Sequence, residues 1–232
     1  MAEPGVVVVG GTRGIGRELA RSYAQEGREV VVTGREQAAA ERVAAEIGGA
    51  ARGLALDLAR PEEIEAALAD VGPVAHLALV AIDRDANRAR EYDLERALAL
   101  VTLKLVGYTK TIHALLGRMG DHASVLLYGG LAKDRPYPGS TTVSTVNGGV
   151  TGMVHTLAVE LAPIRVNAIH PGIVGDSPMW RDNEQMIESV TNRTPIGRPV
   201  TMAEIVGASR FLLENGGVNG VDLAVDGGWM LL

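Results

Sequence analysis

The sequence predicts an α/β fold, a single-domain doubly wound parallel sheet with helices on both faces. Three observations carry this. Short apolar runs alternate with longer amphipathic ones six times along the 232 residues. The apolar runs are too uniform to keep a wet face, as in a parallel sheet covered on both sides. A glycine-rich turn links the first run to the first amphipathic stretch. Repeated strand–helix alternation implies right-handed crossovers and one layered domain, and this length suffices for a substantial core.

The elements follow in order. The run at 6–9 is all valine and reads as the first strand, with a helix over 15–26 after the glycine turn. Strands at 29–33 and 53–56 bracket an alanine-rich helix over 36–47, and Pro61 opens a helix over 61–69. A strand at 74–80 leads to one long helix over 91–118, and a strand at 123–128 to a helix over 141–161. In the latter, Val150, Val154, Leu157 and Leu161 recur at four- and three-residue steps, which gives one buried face. The last units are a strand at 164–169, a helix over 202–213 and a strand at 218–225. Between them, the stretch at about 171–198 is rich in Pro, Asn and Met and has no period. Beyond a strand end, it reads equally as a lid over a pocket or as an ordinary connection.

Composition narrows the function. Apolar residues make up 47%, charged residues 22% and aromatics 3%, so the core is built from Ala, Val, Leu and Ile. The formal charge is −6 without a basic block, which argues against nucleic acid as a partner. There is no cysteine, hence no disulfide, thiolate catalysis or cysteine-ligated metal. The five histidines lack metal-ligand spacing, so no metal is expected. Met1-Ala2-Glu3-Pro4 enters an apolar run too short for a signal or membrane segment, which makes the cytoplasm the expected compartment.

Gly10, Thr12, Arg13, Gly14, Ile15 and Gly16 follow the first strand and open the first helix. Glycines there permit a tight turn and let a helix N-terminus face a pyrophosphate. Thr33-Gly34-Arg35, ending the second strand, offers no acidic residue for the ribose hydroxyl of NAD(H). Arg35 and Arg13 suit a 2′-phosphate instead, so NADP(H) is favoured over NAD(H). Asp57 and Leu58 follow the third strand, where Asp57 either meets the adenine edge or caps the next turn.

The whole chain resembles the short-chain dehydrogenase/reductase family. The strongest match runs from Leu157 through Asn167-Ala168-Ile169-His170 to Pro171 and Gly172, similar to the family's fifth helix, sixth strand and Pro-Gly turn. The glycine loop matches at Gly10, Gly14 and Gly16, although Val9 stands where the family usually has threonine. Asp226-Gly227-Gly228 looks like its C-terminal signature. The resemblance implies a Rossmann-type fold and adds Ala81, Pro171, Gly172 and Ile173 to the cofactor contacts. It also implies a homodimer or homotetramer, assembled through the fifth helix and last strand, acting on a small-molecule substrate.

The family's catalytic tetrad is replaced. Lys104 stands at the asparagine position, Gly130 at the serine, and Val143 and Asn147 at the Tyr-x-x-x-Lys pair; no Tyr-x-x-x-Lys occurs anywhere in the chain. Leu79-Val80-Ala81-Ile82 keeps only the alanine of the usual Asn-Asn-Ala-Gly. Valine donates no proton and asparagine carries no charge, so the family mechanism cannot run as written. Lys104 looks like a relocated ammonium, able to bind ribose, stabilise an oxyanion or donate a proton once desolvated. Tyr137, between two prolines six residues before Val143, is the second catalytic candidate. The leading expectation is an atypical NADP(H)-dependent oxidoreductase for a small carbonyl, hydroxyl or enone substrate. The alternatives are a non-redox enzyme (isomerase, dehydratase or cyclase) and a catalytically inactive NADP(H)-binding regulatory protein.

Overall fold

The computed structural model describes residues 4–83 and 85–232; Met1, Ala2 and Glu3, part of the stretch read as having no leader, lie outside them. Seven strands form one sheet in the order β3-β2-β1-β4-β5-β6-β7, every adjacent pair parallel. They are β1 (Gly5–Val9), β2 (Val30–Gly34), β3 (Ala51–Ala55), β4 (Val74–Leu79), β5 (Met119–Tyr128), β6 (Arg165–Pro171) and β7 (Asp222–Val225). The order reverses between β1 and β4. In open α/β sheets the crevice at that reversal is where ligands bind.

Alternation along each strand divides the core in two. Val7, Val9, Leu77, Leu79, Val125 and Leu127 point to one face. There they meet Ile64 of α3 (Ile64–Ala67), Tyr108 and Ile112 of α5 (Tyr108–Leu115), and Val150, Val154 and Leu157 of α6 (Thr141–Glu160). Val6, Val8, Val30, Val32 and Leu126 point to the other face. They pack on Leu19 and Tyr23 of α1 (Gly14–Ala24), Val43 of α2 (Gln37–Ile47), and Ile205 and Leu212 of α8 (Met202–Glu214). Each fully buried Val or Leu contributes about 1.5–3 kcal/mol, so these two layers dominate the favourable side of folding. On β3, a Cβ at Gly53 would stand 2.3 Å from Ala40. Glycine lets α2 seat there, and the Gln37 amide then bridges to Gly53 and Ala55.

Three readings are corrected. The long helix over 91–118 is broken into α4 (Leu94–Val101), a π-helical turn over Thr102–Gly107, and α5, with a 3₁₀ turn following. The stretch at 171–198 holds a helix, α7 (Glu184–Thr191), capped by the Asn183 side chain on the Met186 amide and burying Val190. The last strand starts at Asp222 rather than 218. Gly220 sits at φ +74 and Asn219 bonds to Ala158 and Val166, so 218–221 is held as a bend.

Candidate functional site

The glycine loop lies at the β1/β4 reversal. Gly10 has φ +82, and a Cβ there would come 2.6 Å from Ala81 Cα. A Cβ on Gly16 would come 2.4 Å from the Gly10 carbonyl oxygen. Only glycine lets the turn close this tightly against β4. Gly14 is different. At φ +54 its Cβ direction is open, with only Pro178 Cδ at 4.0 Å. Arg13 is the N-cap of α1 and makes no side-chain cap, and the first turn holds no acidic residue. The free amides and positive end of α1 therefore face outward beside Gly14, which is what an anion requires.

A Cβ on Gly34 would lie 2.6 Å from Thr12 Cγ2, so the glycine loop and the end of β2 touch. That contact places exposed Arg13 and Arg35 directly after two meeting residues. Next to them, a cavity of about 270 Å³ is lined by Arg35, Leu56, Asp57 and Arg60. Arg60 was not singled out in the sequence. Its position after Asp57 on the same loop was the available signal. Arg35 stands 3.8 Å from Asp83 and Arg60 3.2 Å from Glu63, both in the open, where ion pairs hold weakly. Asp57 accepts from the Ala59 amide at 2.9 Å, so it caps the turn while lining the cavity. The Leu58 side chain is buried in the core, so only its backbone is left to face a ligand beside Asp57. Pro171, Gly172 and Ile173 leave the end of β6, and a Cβ on Gly172 would meet Asp226 at 2.9 Å. Ile15 packs on the α1 face of the core.

Lys104 lies in the π-helical turn and is fully buried. Its Nζ donates to the Tyr108 hydroxyl at 2.9 Å, one turn on, and sits 4.7 Å from that ring's centre. The Tyr108 hydroxyl donates to the Ala81 carbonyl at 2.7 Å. Burial pushes the amine down to about 7 and the phenol well up. Fully buried against a neutral hydroxyl, the amine favours its uncharged form above neutrality. The expectation that Lys104 faces substrate is thereby corrected. It supports Ala81 from behind, through Tyr108, which the sequence reading overlooked. Thr109 and Thr111 hydroxyls donate to the Leu105 and Gly107 carbonyls, stabilising the widened turn.

Across from this turn, α6 carries Val143 and buried Asn147. A Cβ on Gly130 would stand 2.8 Å from Asn147 Nδ2. The asparagine thus occupies the room a side chain at 130 would need, and its Oδ1 is buried without a partner. The substitutions at 130 and 147 fit one another. His170 is held by Asp222 at 2.7 Å, and burial lowers its pKa. No group of three His, Asp or Glu among the described residues is placed to hold a metal.

Tyr137 is 55% exposed and lines a second cavity, of about 380 Å³, with Arg88, Arg90 and the first turn of α6. Its backbone is fixed by Ser140, whose hydroxyl donates to the Tyr137 carbonyl and accepts from its amide. Further back on this loop, Arg135 Nη1 donates to the Trp229 carbonyl at 2.8 Å and the guanidinium lies 4.3 Å over the Trp229 ring. No helix among the described residues is long and apolar enough to cross a membrane.

Comparison with known proteins places these features. Residues 9–230 match the family model described as enoyl-(acyl carrier protein) reductase. The chain is 32% identical to carbonyl reductase family member 4 of Danio rerio, over 97% of this chain and 98% of that protein. It is 32% identical to a 3-oxoacyl-[acyl-carrier-protein] reductase of Bos taurus, over 97% of both. Among solved structures, a blue fluorescent protein from a metagenomic library in complex with NADPH superposes with a TM-score of 0.89 at 26% identity, covering 98% of each chain.

Proposed function

Since the chain belongs to the short-chain dehydrogenase/reductase family of oxidoreductases, we propose that it is an atypical NADP(H)-dependent reductase of small carbonyl or enone compounds. The observation that carries this is the arginine-lined cavity beside the open glycine loop. Arg35 and Arg60, with Arg13 alongside, hold a 2′-phosphate by charge-assisted hydrogen bonds. The amides of α1 beside Gly14 hold the pyrophosphate. A nicotinamide dinucleotide bound there supplies hydride. The relative solved with NADPH supports the choice of dinucleotide, and the names of the reductase relatives support a carbonyl as the group reduced.

The chain's own residues then divide the work. Tyr108, backed by Lys104, fixes the Ala81 carbonyl behind the glycine loop and so sets the floor of the site. Tyr137 brings an ionisable hydroxyl to the cavity wall beside α6 and donates the proton to the substrate oxygen. The same reading extends to a homodimer or homotetramer working in the cytoplasm. A second reading, an NADP(H)-binding protein without turnover, is favoured by the sealing of Lys104 and by the absence of a proton donor at Gly130 and Val143.

The test is NADPH oxidation, followed by absorbance, against a panel of ketones and enones, with Tyr137→Phe in parallel. General acid catalysis contributes about 10²–10⁴-fold, so Tyr137→Phe should lower kcat by at least tenfold while KM for NADPH holds. Unchanged kcat would remove Tyr137 from the chemistry. Tight NADPH binding with no oxidation of any panel member would leave the second reading standing.

A further inference from the structure

We propose that the cavity under Tyr137 is an anion-binding subsite that selects substrates carrying a carboxylate or phosphate monoester on an apolar body. This rests on the reductase reading for the location of the chemistry. The subsite itself rests on its own walls.

Arg88 and Arg90 come from the loop between β4 and α4 and line one side. Neither forms an ion pair with any described carboxylate, whereas Arg17, Arg198 and Arg210 each close on a glutamate. Arg88 and Arg90 thus bring two guanidinium charges without a carboxylate partner among the described residues to one cavity. Guanidinium groups bind carboxylate and phosphate oxygens in fork geometry, which gives direction as well as charge.

The opposite wall adds to the same sign. It is the first turn of α6, a 20-residue helix with no acidic residue in that turn and no side-chain cap. The N-cap hydroxyl of Ser140 is engaged by Tyr137 and by Ser144 instead of the helix amides. The positive end of α6 is therefore uncompensated where Ser140, Thr141 and Ser144 line the cavity. Pro136, Pro138 and the Tyr137 ring supply the apolar part.

The two walls are tied together, so the site is built before a ligand arrives. Asn87 is 1% exposed; its amide donates to the Asp93 carbonyl at 2.7 Å and accepts from the Asp93 amide at 2.8 Å. The Asn87 carbonyl in turn accepts from the Thr141 amide at 3.2 Å. This fixes the arginine loop against α6. A volume of about 380 Å³ falls in the range of small-molecule pockets. Thr141 and Ser144 lie in the same first turn of α6 as Val143, the family's tyrosine position.

The experiment is calorimetric titration of the full chain, with and without NADPH, using benzoate, phenyl phosphate and uncharged benzamide. At least one anion should bind tenfold or more tighter than benzamide, and the tighter of the two identifies carboxylate or phosphate as the recognised group. Arg88→Ala/Arg90→Ala should abolish the preference and leave NADPH affinity unchanged. Both side chains are exposed, so the variant should keep the parent's melting temperature. Equal affinity for the three compounds, no measurable binding of either anion, or a preference that survives the double substitution would each overturn the proposal. If benzoate preference persists while no carbonyl compound is reduced, the reductase reading fails and the anion subsite stands.

Discussion

Replacing Lys104 by methionine removes one amine and keeps the length and flexibility of the side chain. Burial holds that amine at about 7, against 10.5 for an open lysine. The interval is worth on the order of 5 kcal/mol, at about 1.4 kcal/mol per pH unit. Between these two values the folded protein binds fewer protons than the unfolded chain, so stability rises with pH through that window. The cost of burying Lys104 is full below pH 7 and is lifted as pH climbs towards 10.5. At pH 7 the folded amine is half protonated, so raising the pH to 9 should stabilise the native chain by roughly 2 kcal/mol relative to Lys104→Met. Every other titrating group is common to both proteins and cancels in the difference. The assay is urea unfolding followed by circular dichroism at pH 7, 8 and 9, with linear extrapolation. Parallel stability profiles would show that Lys104 keeps its charge inside the fold, and the argument from desolvation would be refuted.

Two further outcomes follow from the site geometry. Arg35→Ala removes a charge-assisted bond of about 1.5–3 kcal/mol to a 2′-phosphate. NADPH affinity measured by titration calorimetry should therefore fall about 10- to 100-fold while NADH affinity stays level; an equal loss for both would end the 2′-phosphate argument. Gly130→Ser forces a Cβ to 2.8 Å from Asn147 Nδ2 and should cost about 1 kcal/mol, which Asn147→Ala relieves in a double-mutant cycle. Strict additivity would show that the two positions are not in contention for the same space.

Much of the fold was legible because β1, β2 and β6 are buried on both faces almost throughout, whereas β3 and β7 at the sheet edges are only half-buried. Val6, Val7, Val8 and Val9 cannot face water whichever way they alternate, so burial pattern and sequence agree without tertiary information. The π-helical turn was not legible. Its wider hydrogen bonding leaves no residue-type signature between Leu98 and Leu105, and Lys104 therefore reads as one more position on a continuous helix. Helix α7 carried a faint signal in Asn183 followed by Met186, Ile187 and Val190, but the prolines and asparagines around it masked the period. In the site, the glycine loop was plain because conformation alone demands those glycines. The role of Tyr108 was not, because a search for tyrosine ahead of lysine passes over Lys104-x-x-x-Tyr108, the same one-turn spacing in reverse order. Arg60 and Arg88 fall on loops, where sequence gives residue type and withholds direction.

The stacking of Arg135 on Trp229 has an optical consequence. The chain has two tryptophans, and neither belongs to the two apolar layers on the sheet. Trp229 lies under a guanidinium that belongs to the loop leading into Tyr137. Trp180 lies two residues after Pro178, which borders Gly14. Intrinsic emission from this protein thus reports on the two rims of the crevice and is nearly blind to the interior. Trp180→Phe leaves a lamp on the Tyr137 side alone, and Trp229→Phe leaves one on the dinucleotide side. The arrival of each ligand can then be watched separately, with no attached dye.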